Sequence, residues 1–114
     1  MRVHLEQRGN GPAIVFLHGV GSSSATWSTV MSLLEDRFTV AAFDLLGHGQ
    51  SPVPEDQAEY TRDRALDDVD DVLGEVLAGA GGPAVLVGHS LGGYLALAHA
   101  ATVSYTHLTL PTKA

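Results

Sequence analysis

The stretch Val85-Leu86-Val87-Gly88-His89-Ser90-Leu91-Gly92-Gly93 runs from apolar residues straight into a glycine-spaced serine. Ala84 to Val87 has the length and β-branched content of a buried strand. Gly88, Ser90 and Gly92 follow in G-x-S-x-G spacing, and Tyr94 to Ala101 reads as helix. A chain that passes from strand to helix over so few residues must turn sharply. Ser90 is then expected at the apex, on a strained backbone, with its hydroxyl clear of the sheet. Gly88 and Gly92 carry no Cβ, so neighbouring backbone can pass close to the turn. The helix that starts here points backbone N–H groups and a partial positive charge at Ser90. A hydroxyl beside such donors suits acyl transfer, because the tetrahedral intermediate carries an oxyanion.

Upstream, the same alternation of strand and helix repeats. Val3 to Gln7 alternates apolar and polar residues, as a half-exposed strand does, and Gly9-Asn10-Gly11-Pro12 is its turn. Ala13 to Leu17 is a continuous apolar run, the mark of a strand covered on both faces. It ends in the small-residue loop His18-Gly19-Val20-Gly21-Ser22-Ser23-Ser24, and Thr26 to Leu34 then has helical spacing. Phe38 to Phe43 is the next buried strand, closing at Asp44, with loop from Leu45 to Pro54. Between Tyr60 and Leu77, the residues Leu66, Val69, Val72, Leu73, Val76 and Leu77 form one apolar helix stripe. Strand and helix in alternation imply right-handed crossovers and a mostly parallel sheet with helices on its faces.

The totals narrow the function classes. The chain has 114 residues, one domain at most, with a formal net charge of −7, which argues against a polyanionic partner such as nucleic acid. No cysteine is present, so disulfides and thiolate metal sites are excluded. Met1 to Glu6 has no apolar targeting core and no run approaches membrane-spanning length, so a soluble cytoplasmic protein without a membrane partner is expected.

His18-Gly19 at a strand end, Asp44-Leu45-Leu46-Gly47-His48-Gly49-Gln50-Ser51, and Gly88-His89-Ser90-Leu91-Gly92-Gly93 occur in this order. On these residues, Val3 to Ala101 resembles the N-terminal part of an α/β-hydrolase-fold protein. The resemblance implies a three-layer α/β fold with a mostly parallel sheet, truncated after the helix that follows the sharp turn at Ser90, the nucleophile elbow. It implies Ser90 as nucleophile, and the backbone amides of Leu91 and Val20 as oxyanion donors. It implies a serine-dependent hydrolase acting on a small-molecule ester, lactone or thioester, with no organic cofactor and no metal. His18 resembles the family's loop histidine, which braces the oxyanion loop. In the family the acid and base follow the nucleophile in the order Ser, Asp/Glu, His. Asp44 precedes Ser90 and reads as a loop anchor, and nothing from Leu91 to Ala101 supplies the acid or an extra base. A chain ending there is expected to be nearly inert, because an unassisted serine is a weak nucleophile.

The other histidines read as structural. His89 is a packing residue under the elbow, His48 a loop-positioning residue, His99 a helix-flank residue and His4 an outward residue of an edge strand. His107 offers only its residue type. Within the fold, the alternatives are a carbon–carbon bond hydrolase, an acyltransferase or a cofactor-free peroxidase. Outside it stand a non-catalytic ligand-binding module and a nucleotide-binding unit built on Gly19-Val20-Gly21-Ser22-Ser23-Ser24 with Asp44. That fingerprint lacks its third glycine, which is Ser24, and no Walker lysine follows. Asp67-Asp68-Val69-Asp70-Asp71 imitates the aspartate-rich motif of prenyl-transfer enzymes but lacks a second acidic motif, so a solvated helix face is expected.

Residues 103–112, Val-Ser-Tyr-Thr-His-Leu-Thr-Leu-Pro-Thr, fit neither period. They resemble the conceptual translation of a transposon-type sequencing adapter. The chain therefore divides into residues 1–101, the N-terminal part of a hydrolase domain, and residues 102–114, a non-native tail. Ending the fold after the elbow helix would bare one edge of the elbow strand, so the chain is expected to aggregate or stay molten.

Overall fold

Ala13–Leu17 forms β2, the central strand on which the sheet is assembled. A computed structural model describes residues 2–101 and the backbone of Thr106–Thr109. The other strands are β1 (Leu5–Arg8), β3 (Thr39–Phe43), β4 (Ala84–Gly88) and β5 (Thr106–Thr109), in the order β1-β3-β2-β4-β5. β2 pairs in parallel with β3 and β4, β4 in parallel with β5, and β1 antiparallel with β3. The parallel pairs require crossovers, which α1 (Ser28–Leu34), α2 (Arg62–Ala80) and α3 (Leu91–Ala100) provide.

Alternation along the strands divides the apolar residues into two cores. Val15 and Leu17 of β2 and Ala41 and Phe43 of β3 pack against Val69, Val72, Leu73 and Val76 of α2 and Leu95 and Ala96 of α3. Phe16, Val40 and Ala42 face the other way, onto Met31 of α1, with Trp27 and Phe38 at the margin. The sheet is thus sandwiched between helix layers, the three-layer α/β arrangement. Among the described residues, no helix is long and apolar enough to cross a membrane.

α2 starts where its chemistry dictates. The Thr61 hydroxyl accepts from the Arg64 amide, Asp63 sits in the first turn, and Gly81 at φ 69° ends the helix. The apolar stripe lies inward, while Asp63, Asp67, Asp70, Asp71 and Glu75 are exposed. Asp68 departs from the expected solvated face: it is 5% exposed and bonded to Arg64 Nε at 3.0 Å. Asp68 shares a cleft with Val3, Leu5 and Val72, so the segment leading into β1 covers it.

The boundaries shift in two places for local reasons. The helix expected from Thr26 opens as a 3-10 turn, Ser24–Trp27, because the Ser23 hydroxyl caps the Ala25 amide. α3 begins at Leu91, three residues before the apolar run starts, since the glycines after the elbow already have helical backbone.

The bare edge expected on β4 is corrected: Thr106–Thr109 runs parallel to it, with Ala84 opposite Thr106 and Val87 opposite Thr109. An unpaired ladder on a buried strand accepts extended backbone that follows it. The remaining residues of the stretch set aside as a tail, 102–105 and 110–114, lie outside the described residues, as does the side chain of His107.

Two glycines separate the roles of space and propensity. A Cβ on Gly92 would collide with the Leu17 carbonyl oxygen and lie 2.6 Å from that of His18, whereas one on Gly74, within α2, meets nothing within 4 Å. Gly74→Ala is expected to raise the unfolding free energy by about 0.5–1 kcal/mol. Gly92→Ala is expected to lower it by about 1–3 kcal/mol, the usual cost of overpacking. Denaturant titration of both variants checks the opposite signs.

Candidate active site

Ser90 is the one non-glycine residue at positive φ among the described residues, with φ 57° and ψ −119°. An L-residue held there costs about 1–3 kcal/mol, and such strain persists only where surrounding packing enforces it. The enforcement is visible. A Cβ on Gly88 would strike the Gly92 carbonyl and sit 2.6 Å from the Gly93 nitrogen, and Gly92 lies against the end of β2. The His89 amide donates to the Leu17 carbonyl at 3.1 Å, locking the bend to the central strand. Ser90 is exposed, and among the described residues nothing hydrogen-bonds its hydroxyl.

The His18–Val20 loop lies alongside. A Cβ built on Gly19 would be 3.2 Å from Ser90 Cβ and 3.3 Å from the His89 carbonyl oxygen. His18 is fully buried. Its Nδ1–H donates to the Gly19 carbonyl at 2.7 Å, and its Nε2 accepts from the Leu45 amide at 3.0 Å. An acceptor at Nε2 and a donor at Nδ1 define one neutral tautomer. Burial pushes the imidazole pKa down, with His48 adding to that effect against the bond to Gly19. The Gly19 carbonyl also accepts from the Ser22 amide at 3.2 Å. In a trans peptide the N–H lies opposite the carbonyl, so pinning the Gly19 oxygen turns the Val20 N–H away from His18. Among the described residues, no hydrogen bond engages the Val20 amide or the Leu91 amide. The Val20 side chain is 73% exposed and contributes nothing to this arrangement but its backbone.

Asp44 holds the neighbouring loops. Its Oδ1 accepts from the Ser24 amide at 2.6 Å and its Oδ2 from the Gln50 amide at 3.0 Å, while its carbonyl accepts from the Ser51 hydroxyl. Burial raises the carboxyl pKa, but the bonds from Ser24 and Gln50 and nearby His18 outweigh it and hold the group below its ordinary value. Gly49 sits at φ +49°, and a Cβ there would overlap the Asp44 carboxyl. Asp44 is therefore the loop anchor expected, each carboxylate oxygen holding a backbone amide of a neighbouring loop.

The remaining histidines fall in three places. His48 lies with its ring centroid 5.0 Å from that of His18, the rings tilted by 47°, and shares a hydrogen bond with the Leu46 carbonyl through Nδ1, a loop-positioning role. His89, expected to pack under the elbow, is instead exposed on the wall of the cavity that Ser90 lines, because the bend turns its side chain outward. His99, expected on a helix flank, is 3% exposed between α3 and α2, with Nε2 3.2 Å from Asp70 Oδ1. α3 carries only Tyr94 and His99 among Leu, Ala and Gly, too little contrast to show which of its faces is inward. His4 precedes β1, where its backbone bonds Ser51 and Asp44. No described histidine bonds Ser90, and no three described His, Asp or Glu side chains converge as a metal site requires.

The cavity beside Ser90 has a volume of about 440 Å³ and is lined by Gly19, Val20, Ser22, Trp27 and His89 among others. Of the residues that the sequence singles out, Ser90 and Val20 come together on this cavity; the partners of Asp44 were missed, since amide donors carry no side-chain signature.

His18 links the loop to pH. Its folded pKa lies below the ordinary 6.5, so the unfolded chain binds the extra proton first. Stability is therefore full above that value and falls as the pH drops below it. His18→Asn keeps a donor for Gly19 but orphans the Leu45 amide, at about 1–3 kcal/mol. It is expected to lower stability at pH 8 and to flatten the decline between pH ~7 and ~5. Unfolding midpoints across that range measure both effects.

Comparison with known proteins agrees with this geometry. The model of the alpha/beta hydrolase family matches residues 14–111. The 2-(acetamidomethylene)succinate hydrolase of Mesorhizobium japonicum is 43% identical over 90 residues, covering 79% of this chain and 31% of that protein. The pimeloyl-[acyl-carrier protein] methyl ester esterase of Methylococcus capsulatus is 39% identical over 97 residues, 85% of this chain and 34% of the esterase. The Bacillus megaterium epoxide hydrolase structure superposes with a TM-score of 0.84 at 26% identity, covering 95% of this chain and 38% of that one. The chain thus spans about a third of the length of the curated relatives compared here. With three motifs, the sheet order and the elbow in agreement, the chain belongs to the alpha/beta hydrolase family.

Proposed function

We propose that the protein is a serine hydrolase that cleaves an ester, lactone or thioester through an acyl-enzyme. The observation that carries this reading is the exposed Ser90 on a strained bend, with Val20 on the same cavity and Leu91 next in the chain, the amides of both bonding nothing among the described residues. In the proposed reaction, Ser90 Oγ bonds to the carbonyl carbon and gives its proton to a base. The carbonyl oxygen, now negative, sits against the Val20 and Leu91 N–H groups. Collapse breaks the bond to the alcohol or thiol, which leaves with a proton, and water then releases the acid. Backbone donors suit this role because they need no reorganisation as charge develops.

Family membership alone leaves the reaction open, since relatives with this fold include an epoxide hydrolase and an esterase. A serine rather than a carboxylate at the elbow favours acyl transfer over epoxide opening. The neutral, doubly engaged His18 and the occupied Asp44 carboxylate leave Ser90 without base or acid among the described residues. We read residues 1–101 as the N-terminal part of a longer hydrolase whose acid and base lie elsewhere. The adapter reading of residues 102–114 rests on the sequence of 103–112 alone, and against it stand the pairing of Thr106–Thr109 with β4 and a family match that runs to residue 111. The genomic reading frame past Ala101 tests that division: it should replace the tail and supply an acidic residue, then a histidine.

A fluorophosphonate probe on the full-length gene product tests the reaction. Labelling should map to Ser90 by peptide mass spectrometry and vanish in Ser90→Ala. Val20→Pro, which deletes one donor, should slow labelling about 100- to 1000-fold. Labelling that survives Ser90→Ala would refute the assignment.

A further inference from the structure

His18 ties two loops together through its two ring nitrogens, and the geometry makes no provision for a second proton. Nδ1–H donates to the Gly19 carbonyl at 2.7 Å, and Nε2 accepts from the Leu45 amide at 3.0 Å. A proton added at Nε2 would set N–H against N–H, because an amide nitrogen donates and does not accept. The ring is fully buried, out of reach of solvent, and a buried charge without an acceptor at one nitrogen is costly. A charged ring must therefore turn out of its contact with Leu45.

That turn reaches the loop beside Ser90. It carries Nδ1–H away from the Gly19 carbonyl, which then keeps the Ser22 amide at 3.2 Å. The Gly19–Val20 peptide unit is planar, so whatever loosens its oxygen loosens the Val20 N–H as well. Gly19 and Val20 both line the cavity that Ser90 lines, and the exposed Val20 side chain does not anchor the loop.

The charged and titratable groups around the ring come from two elements. On the loop after β3, Asp44 favours the added proton, while His48, with its ring centroid 5.0 Å away, opposes it. At the elbow, His89 Nδ1 lies 3.6 Å from where a Cβ on Gly19 would stand. The strands β2, β3 and β4 contain no titratable residue.

We propose that His18 is a positioning residue with a proton switch: charging the ring breaks its tie to Leu45, releases the Gly19–Val20 peptide unit and turns the Val20 donor away from the carbonyl oxygen under attack. This rests on the reading of Ser90 as nucleophile and Val20 as donor. Burial disfavours the charged ring, which sets the change below the ordinary 6.5. The donor is held above that pH and lost as the pH falls through it.

On the full-length protein, kcat/KM for an activated acetate ester is followed from pH ~8 down to ~4.5. A base that must be unprotonated gives an acid limb of about tenfold per pH unit, and a second such group steepens it to about a hundredfold. The wild type should show the steeper limb. His18→Asn, with nothing to charge at this position, should show the shallower one. At pH ~8 this variant should lose kcat about 10- to 100-fold with KM unchanged, since an oxyanion donor acts in the transition state. Independently of turnover, nitrogen resonances are followed in labelled Ser90→Ala protein. The His18 ring and the Val20 amide should shift with one shared midpoint, and the Val20 amide should not move in the protein that also carries His18→Asn. A shallow limb in the wild type, a Val20 amide that stays put as His18 charges, or unfolding before the ring charges would each overturn the switch and keep the nucleophile. A coupled shift at Val20 with no Ser90-dependent turnover at any pH would keep the loop coupling and defeat the serine-hydrolase reading.

Discussion

The constraint on which the site depends is the contact between the elbow and the end of the central strand. Gly92 lies so close to the Leu17 and His18 carbonyls that no side chain fits between them, and the His89 amide bonds the Leu17 oxygen. That approach fixes the start of α3 against β2, and with it the direction in which the chain must bend. The positive φ of Ser90 follows from the bend rather than from any preference of serine. Because the same strand end launches the Gly19 loop, the nucleophile candidate and the loop beside it are positioned by one event.

Around this contact, two buried polar residues stiffen loops that would otherwise be mobile. His18 uses both ring nitrogens, one on its own loop at Gly19 and one on the β3 loop at Leu45. Asp44 does the reverse, reaching from the end of β3 to Ser24 and Gln50. The two loops are thus cross-tied by hydrogen bonds whose partners are backbone amides and carbonyls. Such bonds are costly to leave unmade when buried, which makes the loop geometry a property of the fold. A backbone donor held this way keeps its direction as charge grows nearby, whereas a side-chain donor has to be reoriented.

How much of this is legible in the sequence depends on whether the signal is periodic. Ala13–Leu17 is found to the residue because a strand buried on both faces shows as an unbroken apolar run. The α2 stripe at Val69, Val72, Leu73 and Val76 is equally plain, since polar residues mark the outer face. α3 gives no such contrast: Leu, Ala and Gly surround it, so neither its start at Leu91 nor the burial of His99 can be read. Asp68 sits in an acidic run that looks uniformly solvated, and its burial depends on the distant segment of Val3 and Leu5 beside it, which no local pattern reveals. The elbow was legible because its constraint is steric and leaves glycines at fixed spacing. The ties of Asp44 were not, because any residue supplies an amide.

In the reaction we propose, a charged oxygen at the elbow accepts from the Val20 and Leu91 amides, which bond nothing else among the described residues. The most direct measurement is a crystal structure of the full-length protein inhibited by a phosphonate. Phosphorus should be bonded to Ser90 Oγ, with one phosphoryl oxygen about 2.7–3.1 Å from both amide nitrogens. A Ser90 adduct whose oxygen faces solvent, or an adduct on another residue, would contradict it.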